Sequence, residues 1–343
     1  MQKQPLISVI TPLYNYEKFI GGCIESVLAQ TYPHVEMVIV DDESTDHSAE
    51  VVREYAQKYP QIHYIYQSGK KLGPWKMGVV PAINTAIQAA QGEYIAWLSA
   101  DDLACPERLS HSLAVFTEQF PDDDRLAMVY ADTYLEVHER ECFDKVPLPL
   151  ADVEKAFDTQ GYVRWQSRDQ DYGEGLLLQN FKNNVINGST SLIRKCVFDE
   201  IGLFDSAYPL VHDYEMWMRM LLKGYRIQFL AEPLIISRIH TVNVPRWHAC
   251  QQEAKQLIHK IWMDYALEEL CLSPSAGSDE RADFHSALGE TFAEKRMFDL
   301  AISEFRRSME LSGRSDLYFD VYKQVVLSYL FPVYRLLRYG HRL

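Results

Sequence analysis

Short apolar runs that alternate with helix-like stretches constrain this chain more than any other feature. Ile7–Ile10, Glu36–Val40, His63–Tyr66 and Tyr94–Leu98 read as strands, and Leu126–Ala131 as a fifth. The run EMVIV at 36–40 is apolar at nearly every position, as befits a strand covered on both faces. Between the runs, Phe19, Ile20, Cys23, Ile24, Val27 and Leu28 recur at helical spacing until Pro33. Pro81 suits the first turn of another helix, Gly92 its end, and Pro106 opens a third. The alternation predicts a mainly parallel sheet flanked by helices, which binds ligands beyond the carboxyl ends of its strands. Polar residues gather at those ends: Asn15 after the first strand, Asp41 and Asp42 after the second, Asp101 and Asp102 after the fourth. One such Asp is more often a helix cap. Three clusters at one sheet edge predict a site.

The rest divides by pattern. Residues 137–184 are polar, with Pro147 and Pro149, and read as an insertion or substrate-facing loops. After Gly188 the α/β pattern returns, with strands at 190–193 and 227–230 around an amphipathic helix at 214–222. From Trp247 the chain reads as helical, so the expected domains are 1–246 and 247–343. The formal charge of −14 disfavours a nucleic-acid partner, which would need a basic face. Six scattered cysteines without a CxxC pair fit a reducing compartment and neither a disulfide framework nor a zinc site. The N-terminus lacks the pattern of a signal peptide, and no apolar run has the length of a membrane span. The expectation is a cytoplasmic protein that at most rests on a membrane surface.

Neither GxGxxG nor GxxxxGK[ST] is present, so a bound nucleotide needs another partner for its phosphates. A divalent cation held by carboxylates would serve. Four segments then resemble a known family: SVITPLYN (8–15), VIVDDESTD (38–46), GEYIAWLSADD (92–102) and HDYEMWMRMLLKGY (212–225). In this order and at these separations they resemble family 2 glycosyltransferases of the GT-A fold, over residues 6–244.

The resemblance implies an α/β, Rossmann-like, mixed but mainly parallel sheet flanked by helices, followed here by an all-α extension. It implies inverting transfer from a nucleoside-diphosphate sugar, UDP-sugar favoured, with Mn²⁺ or Mg²⁺ as cofactor. The acceptor would be a saccharide, lipid-linked or protein hydroxyl. Tyr14 would stack on the base and Asp42 accept its hydrogen bond, with Asp41 the less favoured of the pair. Pro12, Asn15, Asn84, Ser99 and Ala100 would complete the donor site. Asp101 would be a metal ligand, with Asp102 and His240 as further candidates. Asp213 matches the catalytic base, and Asn187, Ser189 and His212 would face the acceptor. Read alone, Asp213 is more often a helix cap.

Three positions depart from the family pattern: Ser99 replaces the first acid of DxD or DADD, Ile83 the usual Arg, and His212 a common Glu. Lys70, Lys71 and Lys76 either supply the missing charge to the diphosphate or form a solvated loop. The QxxRW motif of processive synthases is missing, which favours single-sugar transfer in polysaccharide or glycoconjugate assembly. Residues 286–313 resemble one tetratricopeptide repeat, too little for a solenoid, which either packs on the catalytic domain or docks a partner. The tail 321–343 carries Lys323, Arg335, Arg338 and Arg342, many aromatics and no acid. It reads equally as an anchor to anionic membrane at the inner face or as a helix covering the core. A homodimer is left open. So are a degenerate sugar-nucleotide-binding or scaffold protein and, with less support, a nucleotidyltransferase.

Overall fold

The structure, a computed structural model, describes residues 4–68, 79–167, 169–241 and 247–313. Lys70, Lys71, Lys76 and the tail 321–343 lie outside the described residues. The chain divides into two units, one of 1–174 with 185–248 and one of 175–184 with 249–343.

The first unit begins with strand β1 (Ile7–Leu13), helix α1 (Ile20–Leu28), β2 (Val35–Asp41), α2 (Ser48–Lys58), β3 (Ile62–Tyr66), α3 (Val79–Ala89) and β4 (Tyr94–Trp97). These four strands are parallel in the order β3-β2-β1-β4, as the alternation predicts. Next come β5 (Leu103–Ala104), α4 (Arg108–Ala114), β6 (Leu126–Val137), α5 (Leu150–Gln160) and β7 (Val163–Gln166). After α6 (Leu176–Lys182), which belongs to the other unit, the sheet is completed around β8 (Leu192–Arg194), α7 (Val197–Ile201), α8 (His212–Leu222) and β9 (Arg226–Ile239). The sheet becomes mixed here: β8 runs antiparallel between β4 and β6, while β6 and β9 pair in parallel.

Two strands are longer than their apolar runs suggest. Register shifts lie at Ala131/Asp132 and Asp132/Thr133, where Asp132 pairs with Pro233. The irregularity absorbs a proline that would otherwise end β9, and pairing then continues to Val137 and Ile239. Part of the stretch read as loops, 137–184, is also ordered: Val137, Cys142, Val146, Val153 and Val163 form a small core of their own. The main core packs α1 and α2 on one face of the sheet through Ile20, Cys23, Ile24 and Val52. No helix among the described residues is long and apolar enough to cross a membrane.

The second unit combines α6 with α9 (Trp247–Asp264), α10 (Leu267–Cys271), α11 (Ser278–Glu294) and α12 (Phe298–Ser312). Residues 175–184, read in sequence as the end of the loop region, pack here, with Phe181 edge-on to Phe292. Helices α11 and α12 form a hairpin in which the Phe305 ring lies over Gly289. A Cβ at Gly289 would sit 2.9 Å from that ring, so only glycine lets the helices approach this closely.

Candidate active site

Each chain segment leaving the parallel strands is pinned to its neighbour by side chains. Asn15, in the left-handed region at φ 57°, accepts the Thr45 amide hydrogen at 2.7 Å and donates its own backbone N–H to Ser44 Oγ at 3.0 Å. Asn15 therefore ties the turn after β1 to the turn after β2. Asp41 is fully buried, with Oδ1 accepting Ser44 N–H at 2.9 Å and Oδ2 accepting the Tyr64 hydroxyl at 2.8 Å. Asp42 Oδ1 accepts a hydrogen bond from Gln67 Nε2 at 3.0 Å. Beside it Tyr14 is 47% exposed, a flat ring presented at the sheet edge, and Pro12 is half-buried in β1.

Beyond β4 the acidic pair sits in a well of its own. Asp101 and Asp102 are buried, as is the intervening loop's Ala100. His240 Nε2 lies 3.2 Å from Asp101 Oδ2, and the Tyr16 hydroxyl hydrogen-bonds Asp101. The His240 ring stacks on Phe19 with centroids 4.4 Å apart, which fixes the imidazole above the carboxylate. Burial first, then the charges of Asp101 and Asp102, push the Tyr16 hydroxyl well above its usual range, so it stays a donor. Asp102 is pushed up to about 7 by burial and then by the adjacent Asp101 charge. Hydrogen bonds from Ser189, Ser237 and the Arg238 backbone act against that rise.

Arg238 brings a guanidinium into this well but turns its N–H groups to backbone, on the Asp101 and Phe19 carbonyls. Beneath it Arg108 is fully buried and donates to the Trp97 carbonyl at 2.6 Å. Burial lowers Arg108 to about 10. Two cations thus sit near the acids with their hydrogen bonds committed to carbonyl oxygens.

The helix α8 starts at this edge. Its first residue, His212, packs its ring against Trp97 at 5.5 Å and Phe204 at 6.2 Å, and Trp97 precedes the acidic loop by a few residues. Asp213 follows in the first turn, partly exposed, with Oδ1 accepting the Tyr214 amide hydrogen at 2.7 Å. His212 Nδ1 lies 3.2 Å from the Pro209 carbonyl, an arrangement that requires a proton on Nδ1.

Several residues expected to face donor or acceptor also have protein partners. Asn84 directs both ends of its amide to the Phe204 backbone, donating to its oxygen at 2.9 Å and accepting from its nitrogen at 3.0 Å. It therefore anchors the segment before α8. Ser189 is buried, and its hydroxyl lies 2.8 Å from that of Ser99 and also bonds Asp102, so it supports the acids. Asn187 bonds Ser237 Oγ at 3.2 Å and caps the short turn bearing Ser189. Gly188 holds that turn flat on Trp97, where an added Cβ would fall 2.6 Å from the ring. Asp102 is likewise turned into protein, and among the described residues no group of three His, Cys, Asp or Glu side chains is arranged to hold a metal. Asp101 with His240 is the pair that stays together.

Tyr16, Arg238 and Gln67 escaped the sequence reading. Arg238 had a signal, two residues before His240 in SRIHT, and Tyr16 had one in its nearness to Tyr14.

Known proteins resemble this chain in sequence and in fold. The family described as Glycosyl transferase family 2 matches residues 8–135. A Rickettsia prowazekii protein described as an uncharacterized glycosyltransferase is 30% identical over 242 residues, 70% of this chain and 65% of that protein. The chain thus spans less than two-thirds of that relative's length. The putative teichuronic acid biosynthesis glycosyltransferase TuaG of Bacillus subtilis is 38% identical over 116 residues, 34% of this chain and 44% of TuaG. The mannosyltransferase PcManGT of Pyrobaculum calidifontis shares the fold at 16% identity and a TM-score of 0.54, over 95% of this chain and 81% of that one. On the matched segment and the shared fold, residues 8–135 are identified as a glycosyl transferase family 2 region carried on a GT-A sheet.

Proposed function

We propose that this chain is an inverting, metal-dependent, non-processive glycosyltransferase that moves a sugar from a UDP-sugar to a hydroxyl acceptor. The observation that carries the reading is the meeting of Asp101, Asp102, His240 and Tyr16 at the carboxyl edge of the sheet, with Tyr14 and Asp42 along the same edge. A carboxylate beside an imidazole is a donor set suited to a Mn²⁺-like ion, with the remaining positions left for diphosphate oxygens. PcManGT, which shares the fold, is described in complex with GDP-Man and Mn²⁺. When bound at Asp101 and His240, a divalent cation would offset the charge that develops on the departing diphosphate.

The chain's own groups do the rest. Tyr14 stacks on the base and Asp42 accepts its N–H. Asp213 takes the proton of the acceptor hydroxyl as that oxygen bonds the anomeric carbon and the carbon–oxygen bond to the diphosphate breaks. One displacement inverts the anomeric centre. TuaG and a chondroitin synthase, 35% identical over 130 residues, are named for polysaccharide work, which supports a saccharide acceptor in polymer or glycoconjugate assembly. We place the reaction on the cytoplasmic side, and assign 286–313 as a single tetratricopeptide-like hairpin.

Asp213→Asn tests the reading. Turnover of UDP-sugar should fall about a thousandfold while UDP binding, measured calorimetrically with Mn²⁺, stays within a few-fold of the parent. Normal turnover by that variant would remove Asp213 from the mechanism.

A further inference from the structure

Asp42 is supported by a one-way chain of hydrogen bonds. Thr85 Oγ1, on α3, donates to Gln67 Oε1 at 2.7 Å, and Gln67 Nε2 donates to Asp42 Oδ1 at 3.0 Å. Gln67 is 6% exposed and Asp42 5%, so neither contact is a chance meeting of surface side chains. The direction is dictated chemically. An ionised carboxylate only accepts, so the amide must turn its NH₂ to Asp42 and its oxygen to Thr85, whose hydroxyl must then donate. Gln67 is itself held by its backbone N–H on the Asp41 carbonyl at 3.0 Å, one residue past the end of β3. The side chain therefore leaves the sheet at a fixed point and reaches across to Asp42.

The consequence is asymmetry in the carboxylate. Oδ1 carries the Gln67 bond, and no hydrogen bond to Oδ2 is made among the described residues. The Gln67 bond thus fixes the plane of the carboxylate and occupies Oδ1 first, so that Oδ2 is the oxygen with its full accepting capacity. Uracil and thymine carry a single ring N–H flanked by two carbonyls. Guanine carries two neighbouring donors and is met best by both oxygens of a carboxylate, while cytosine turns a ring-nitrogen lone pair to that position.

We infer that Gln67, locked by Thr85, is a positioning residue that commits one oxygen of Asp42 and so selects a sugar nucleotide with an imide base, uracil or thymine, over guanine or cytosine. The inference rests on the donor-site reading proposed above. Gln67 acts through Asp42 and touches no reacting atom.

The test is calorimetric binding of UDP, dTDP, GDP and CDP to the full chain with Mn²⁺, repeated on Gln67→Ala, Gln67→Glu and Thr85→Val. The parent should bind UDP or dTDP at least about tenfold more tightly than GDP or CDP, and the UDP–dTDP pair reports whether the C5 methyl is tolerated. Gln67→Ala should weaken UDP about tenfold and bring the UDP-to-GDP ratio towards one, with Thr85→Val intermediate. In turnover the loss should fall on the donor KM, with kcat within a few-fold of the parent. Gln67→Glu sets two carboxylates face to face and should weaken UDP further, and thermal melts of all three variants establish that they fold. An unchanged UDP-to-GDP ratio in folded Gln67→Ala would overturn the role of Gln67, as would a parent that prefers GDP. A parent that binds none of the four nucleotides would instead overturn the donor site itself.

Discussion

Two buried clusters in this protein pair carboxylates with histidine, and they resolve the charge differently. In the helical unit, His285 lies between Glu304, 2.6 Å from Nδ1, and Glu268, 2.8 Å from Nε2. Arg281 bonds Glu268 directly, and Trp262 Nε1 donates to Glu304 at 2.7 Å. Two acids meet two cations, and the buried oxygens have donors. At the sheet edge the acids Asp101 and Asp102 also lie near cations, but Arg238 and Arg108 give their hydrogen bonds to carbonyl oxygens. The first arrangement is a closed electrostatic knot. The second has as many cations as acids but no guanidinium hydrogen bond on the acids, and burial, then the adjacent Asp101 charge, pushes Asp102 up. A buried cluster whose acids are met directly by charged donors serves the fold. One whose neighbouring cations turn to carbonyl oxygens leaves its acids able to take a ligand.

The sharpest way to break this comparison is to remove one acid from each cluster. Asp101→Ala should lower transfer on the order of a thousandfold, because the proposed cation would lose its carboxylate. It should leave the thermal midpoint unchanged or raised, since a like charge beside Asp102 disappears. Glu304→Ala should do the reverse. It strands His285 and the Trp262 N–H in a buried site and should cost about 3–5 kcal/mol, seen as lost hydrogen-exchange protection in α11 and α12. UDP binding should persist. Opposite behaviour in either variant would mean that direct pairing of acids with charged donors does not separate site from scaffold here.

The sheet edge was far more legible in the sequence than the helical knot, for a physical reason. Strands buried on both faces announce themselves as apolar runs, and ligand-facing acids follow directly at their ends, so β1, β2 and β4 carried Asp42 and Asp101 with them. The knot joins residues 268, 285 and 304 across three helices, and no local spacing connects them. Pro233 hid the true length of β9, because a proline reads as a strand breaker until an irregular register accommodates it. Asn84 and Ser189 were placed by motif but are held by backbone and neighbouring hydroxyls that only the folded chain supplies.

The knot should also respond to pH in a defined direction. Burial alone would pull His285 down, but the hydrogen bonds and charges of Glu304 and Glu268 outweigh it and raise the imidazole above its ordinary value. Arg281 faces the same group, with Asp264, Glu269 and Arg307 around a neighbouring cavity of about 600 Å³. A raised histidine stabilises the folded state fully below its unfolded value of about 6.5, and that contribution is lost as pH rises through the folded value. Unfolding of the helical unit, followed by exchange in α11 and α12, should therefore ease above neutrality, by at most about 1.4 kcal/mol per pH unit for one proton. His285→Gln should flatten that dependence. A dependence that survives the substitution would assign it to another group.

The smallest effects come from removing one neutral donor from each cluster, and they separate the two most cleanly because no charge changes. Trp262→Phe deletes the N–H on Glu304 and leaves a buried carboxylate oxygen unmet, with a cost of about 1–3 kcal/mol to the helical unit. Tyr16→Phe deletes the hydroxyl on Asp101, and its ring still packs edge-on against Phe19 and His240 at 6.0 Å. Phenylalanine keeps that packing, so stability should move by less than about 1 kcal/mol. The Mn²⁺ concentration that supports half-maximal turnover should shift a few-fold instead, because the hydroxyl helps to orient the carboxylate proposed to hold the ion. A large loss of stability in Tyr16→Phe, with unchanged Mn²⁺ dependence, would make the Asp101 well a structural knot like its helical counterpart.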